Sequence, residues 1–123
     1  MYVIDTNIII WILRNKSEYT EWFDRAIKIT KLGISTISVA EIYKNIFPEE
    51  LIITEEWLER FQVFTVTEKI AKQAGFYWRQ HSKKNLHLLD CLIAATAKMN
   101  SASLFTLNTK HFPMKDIAVL NPL

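Results

Sequence analysis

The sequence predicts an α/β fold: a three-layer sandwich around a central, mostly parallel sheet of about five strands. Two observations carry this expectation. Short apolar or β-branched runs at residues 2–4, 34–37, 63–66, 103–106 and 117–120 read as strands. The first four are separated by longer stretches whose apolar residues recur at helical spacing. Strands joined through helices pair in parallel by crossovers, which puts helices on both faces of the sheet.

Tyr2-Val3-Ile4 is a continuous apolar run that stops at Asp5, as expected of a strand buried on both faces. Asp5-Thr6-Asn7 can start a helix, and residues 8–13 continue it until Arg14-Asn15-Lys16. Trp22, Phe23, Ala26, Ile27 and Thr30 form the apolar stripe of a second helix, for which Gly33 is the expected C-cap. Residues 34–37 follow as a strand, and Ser38-Val39-Ala40-Glu41 opens a helix that cannot pass Pro48. A short helix over 52–61 leads to the third strand. Ile70, Ala71, Ala74, Tyr77 and Trp78 mark a helix that ends by Lys83-Lys84-Asn85. A small-sided helix over 88–99 precedes the last two strands.

With 123 residues, half of them hydrophobic, the chain can bury a core without disulfide support and reads as one domain, residues 1–123. The single cysteine, Cys91, excludes an internal disulfide and fits a reducing, cytoplasmic setting. No signal peptide is visible, and no stretch nears the roughly 20 apolar residues of a membrane span. The formal net charge of +2 permits nucleic-acid binding without requiring it.

Three carboxylates interrupt this pattern. Asp5 follows the first strand, Glu41 lies one turn into the helix after the second, and Asp90 opens an otherwise apolar helix. Asp90 aligns with Ile93, Ala94 and Ala97, the face expected to pack inward. An acid aimed at a packed face is costly unless paired or metal-bound. Each acid also has a local alternative: Asp5 and Asp90 as N-caps, and Ser38-x-x-Glu41 as a capping box. If all three helices start at the carboxyl edge of one parallel sheet, the acids share a cleft, the edge where such sheets bind ligands. Oxygen-only donors favour Mg²⁺ or Mn²⁺ over zinc, and such a site suits phosphodiester hydrolysis. No nucleophile with an adjacent base, phosphate-cradling glycine loop or dinucleotide fingerprint is present. A phosphorylatable receiver domain shares the fold class, but it needs paired acids after the first strand, and Ile4 precedes Asp5 here.

Asp5-Thr6-Asn7, Ser38-x-x-Glu41, Asp90-x-x-Ile93-Ala94-Ala95 and Thr106-Leu107-Asn108 resemble, in order, the four motifs of PIN-domain ribonucleases, and within them the VapC-type toxins of toxin–antitoxin pairs. The resemblance spans nearly the whole chain. It implies a PIN-like fold with the first strand central. It also implies a Mg²⁺- or Mn²⁺-dependent endoribonuclease acting on RNA, and a homodimer inhibited by a cognate antitoxin. Carried over by motif, Asp5, Glu41 and Asp90 are the catalytic, metal-binding acids, Thr6 and Ser38 support them, and Asn108 stands in the fourth motif. Many relatives carry aspartate at that last position, so Asn108 leaves a second metal position open, and Asp116 is the only later acid. A PIN-like module that binds RNA or a partner without cutting is the alternative.

Arg79, Lys83, Lys84 and His87 precede Asp90 and are candidate contacts to RNA phosphates, with a solvated helix face as the alternative. His81, His87 and His111 share no metal-ligand spacing. Trp11, Trp22, Trp57 and Trp78 read as core or dimer contacts, and Cys91 as a small buried hydrophobe.

Overall fold

The computed structural model describes residues 1–123. Five parallel strands, β1 (Tyr2–Ile4), β2 (Leu32–Ser35), β3 (Gln62–Phe64), β4 (Ser103–Phe105) and β5 (Val119–Leu120), form one sheet in the order β3-β2-β1-β4-β5. The apolar first strand is therefore central, flanked on both sides. Between β1 and β2 run α1 (Thr6–Leu13) and α2 (Ser17–Ile29). Helices α3 (Thr36–Asn45) and α4 (Leu51–Leu58) join β2 to β3; α5 (Glu68–Gln80) and α6 (Leu88–Met99) join β3 to β4.

Successive side chains of a strand point to opposite faces, and the core divides accordingly. Val3 joins Ile70, Ala74, Tyr77, Ile93 and Leu104 beneath α5 and α6. Ile4 joins Ile8, Ile9, Trp22, Phe23 and Ile34 beneath the earlier helices. The sandwich thus has three layers, as expected. Ala94, Ala95 and Ala97 are fully buried, and their small side chains let α6 pack closely on the sheet and on α5. Cys91 is buried among them, as expected of a small hydrophobe. Trp22 is core and Trp57 packs edge-on to Phe23 with ring centroids 5.2 Å apart, whereas Trp78 is 45% exposed. No helix is long and apolar enough to cross a membrane.

Two local expectations fail at the second strand. Gly33 does not cap α2. That helix ends at Ile29, with Thr30 already extended (φ −157°), and Gly33 lies buried inside β2. The reason is steric: a Cβ at Gly33 would overlap the ring of Phe64 on β3. The helix after β2 also starts earlier than expected. Ser35 is its N-cap, its Oγ accepting from Ile37 N–H at 3.0 Å, so Ser38 and Glu41 lie within α3 rather than forming a capping box.

Gly33→Ala is expected to destabilise the protein by about 1–3 kcal/mol, as overpacking does. In denaturant titrations, adding Phe64→Ala should recover part of that loss, and purely additive effects would refute the steric account.

Candidate active site

Asp5 lies at the carboxyl end of the central strand, only 7% exposed. Two donors from different segments hold it. Thr6 N–H donates to Oδ1 at 2.8 Å, and the Thr106 hydroxyl donates to Oδ2 at 2.8 Å. The first is the N-cap of α1, so the capping alternative is realised for one oxygen. The second depends on the sheet. Asp5 N–H donates to Phe105 O at 2.9 Å, which brings the residue after β4 alongside. Thr106 is fully buried, and its Oγ1 also accepts from Asn108 N–H at 3.1 Å.

Thr6 ties this end of β1 to α3. Its hydroxyl lies 2.7 Å from Glu41 Oε1 and 2.9 Å from Ser38 Oγ. It has one proton, which the carboxylate takes in preference as a charge-assisted bond, leaving Ser38 as the donor to Thr6. Ser38 and Glu41, one turn apart on α3, therefore meet a single hydroxyl from α1.

Asp90 is the third residue of α6 and, contrary to the capping alternative, not its N-cap. His87 holds that position, without a side-chain cap bond. The helix N-terminus favours a negative charge there. Burial raises the Asp90 pKa; among its neighbours, His87 and His111 lower it and the charge of Glu41 raises it. Burial likewise raises the Asp5 pKa, against the hydrogen bonds from Thr106 and Thr6, with further upward pressure from the charges of Asp90 and Glu41. Asp5 thus feels the charges of both other acids, and Asp90 that of Glu41.

None of the three is paired with a lysine or arginine. The two ion pairs of the molecule, Lys72–Glu68 at 3.0 Å and Lys98–Asp116 at 3.4 Å, lie elsewhere. No three His, Cys, Asp or Glu side chains stand close enough together to hold a metal ion as placed. The acids are coupled but not drawn to ligand spacing, and like charges in a low dielectric oppose closer approach without a counter-charge.

The remaining candidates are dispersed. Asn108 is exposed and engages Thr106 through its backbone. Asp116 stays away from the acids, accepting from the Tyr77 hydroxyl at 2.8 Å and pairing with Lys98. Lys84 and His87 line a cleft of about 240 Å³ with Asp90, Lys110 and His111. Arg79 lines a different, apolar hollow with Trp78 and Leu88. Lys83 is exposed and lines neither. Sequence reasoning placed Thr106 in the fourth motif without giving it a role, and it gave none to Lys110. Thr106 repeats the Asp5 signal, a polar residue directly after an apolar strand. Lys110 had no pattern to mark it.

The PIN domain family model matches residues 2–119. Ribonuclease VapC10 of Mycobacterium tuberculosis is 36% identical over 116 residues, covering 93% of this chain and 87% of the relative. Toxin FitB of Neisseria gonorrhoeae is 30% identical, covering 99% of this chain and 98% of the relative. The structure of VapBC-1 from nontypeable Haemophilus influenzae superposes with a TM-score of 0.83 at 26% identity, covering 98% of this chain and 97% of that one.

A raised carboxyl pKa means that the folded state holds the proton better than the unfolded chain. Ionisation therefore destabilises the fold, with the penalty growing as pH rises from the ordinary value of 3.8 through the raised one. In EDTA, Asp90→Asn is expected to raise Tm at neutral pH by roughly 2–5 °C. The gain should shrink on acidification and vanish below the ordinary aspartate pKa. A variant that melts lower than the native protein at pH 7 would contradict this.

Proposed function

This chain belongs to the PIN-domain family, and from that premise we propose that it is a divalent-metal-dependent endoribonuclease, the toxin of a toxin–antitoxin pair. The observation that carries the reading is the set of carboxylates Asp5, Glu41 and Asp90 at the carboxyl edge of the sheet, close enough that Asp5 feels the charge of the other two and Asp90 that of Glu41, with none in an ion pair with lysine or arginine. The names of the relatives, ribonuclease and toxin, support the same activity, and the VapBC neighbours support an antitoxin as partner.

The donor set suits Mg²⁺ or Mn²⁺. It is all oxygen, it is anionic, and its buried members are pushed toward protonation, first by burial and then by neighbouring carboxylate charge. Asp5, Glu41 and Asp90 would hold the ion. Bound there, it supplies charge neutralisation at the scissile phosphate and a water of lowered pKa. The protein's own groups fix the donors in advance. Thr6 and Thr106 hold both oxygens of Asp5, and Thr6, itself supported by Ser38, aims Glu41. Lys84 and His87 lie where they can meet the RNA backbone beside Asp90. A cognate antitoxin is the proposed partner, in keeping with the VapBC complexes, and the active form is proposed to be a homodimer, as the family resemblance implies.

A second reading, a module that binds RNA without cutting it, is favoured by one observation: the fourth motif offers the neutral Asn108 instead of an acid. Turnover decides between the two. With Mn²⁺ or Mg²⁺, single-stranded RNA should be cut, and EDTA should abolish cleavage. Asp5→Asn and Asp90→Asn should each lower kcat/KM by at least about 100-fold while circular dichroism stays native. Thr6→Val, which leaves the acids in place but frees Glu41, should cost roughly 10-fold. Cleavage that persists in EDTA would overturn the metal-dependent reading. Tight RNA binding with no turnover at any metal concentration would select the second.

A further inference from the structure

The cleft beside Asp90 is built from two distant segments. One is the turn before α6, a single 3₁₀ turn at Ser82–Lys84 followed by Asn85 in the left-handed region (φ 54°, ψ 48°). Asparagine tolerates that conformation better than most residues. The other is the 3₁₀ turn after β4, Thr109–His111. Residues 81–89 and 107–115 contain no acid, so the two turns bring only basic and neutral groups to face each other. Lys84, His87, Asn85, Lys110 and His111 line the space, with Asp90 as its one acid. Neither Lys84 nor Lys110 belongs to an ion pair. The two ammonium groups outweigh the one carboxylate.

We propose that this cleft is a phosphate subsite, seating on Lys84 and Lys110 the backbone phosphate that adjoins the one to be cut. The choice of RNA as the polymer rests on the ribonuclease reading above. Charge complementarity is the first support, since two unneutralised ammonium groups attract a phosphodiester. Size is the second. At about 240 Å³ the cleft is smaller than the roughly 300–1,000 Å³ of sites that enclose a whole small ligand. It fits one group of an extended chain rather than a free nucleotide. Position is the third, because Asp90 is a wall of the cleft and also a member of the acidic set. A phosphate seated here therefore lies beside the acids, and the neighbouring phosphate of the same strand is the one proposed to reach them. Lys83 and Arg79 lie outside the cleft.

The test reads binding apart from cleavage. A fluorescent single-stranded oligoribonucleotide is titrated with the full-length protein in EDTA, at several salt concentrations. The double variant Lys84→Gln/Lys110→Gln should bind about 10-fold more weakly and lower the slope of log Kd against log salt by about 1. Each single variant should show an intermediate loss. Lys83→Gln, which removes the same charge one residue outside the cleft, should stay within about 2-fold of the native protein. The proposal is overturned if the native protein does not bind, if the double variant binds like it, or if Lys83→Gln weakens binding as much as Lys84→Gln. Cleavage assayed separately with Mn²⁺ judges the ribonuclease reading. A protein that binds through the cleft and does not cut refutes that reading alone.

Discussion

The carboxylate of Asp5 is the constraint on which the rest of the site depends. A buried carboxylate is tolerated only when its lone pairs are met by donors. Asp5 has two, and they reach it from different directions: Thr6 N–H from the start of α1, and the Thr106 hydroxyl from beyond β4. The second bond exists only because β1 and β4 are parallel neighbours in register, with Ile4 opposite Phe105. The topology of the sheet and the ionisation of its central acid are therefore one problem. Had β4 paired elsewhere, Asp5 would have lost one of its two donors inside the protein.

Part of this was legible in the sequence, for a physical reason. Apolar strands ended by a polar residue, and helices with one apolar stripe, are local signals, and they gave the strand number, the three layers and a central β1. The three acids stood out because each interrupted an apolar pattern. What was not legible depended on contacts across the fold. Gly33 looked like a helix cap because its local sequence cannot reveal Phe64 on the neighbouring strand. Ser38 and Glu41 looked like a capping box because the spacing of a box is also the spacing of one helical turn. The helix start at Ser35 and the hydroxyl of Thr6, 32 positions from Ser38, distinguish the two. Thr106 and Lys110 acquire meaning only once β4 lies beside β1.

Charge is sorted on a short length scale at the rim of the sheet. The acids Asp5, Glu41 and Asp90 lack cationic partners, and the cations Lys84 and Lys110, on the other side of Asp90, lack anionic ones. Leaving both sets unsatisfied and adjacent favours a ligand that carries both complements: a polyanion and the cation that accompanies it.

The spacing of the acids fits that view. Mg²⁺ keeps much of its hydration shell and is commonly bound by one or two carboxylates together with substrate phosphates, rather than by a complete protein cage. Here Asp5 and Glu41 are held by hydroxyls, the charge of Glu41 reaches Asp90, the charges of both reach Asp5, and no three donors converge tightly. Asn108 fits the same pattern. Its backbone N–H supports Thr106, and Thr106 supports Asp5. The fourth segment therefore acts on the site through its backbone, by aiming an existing acid.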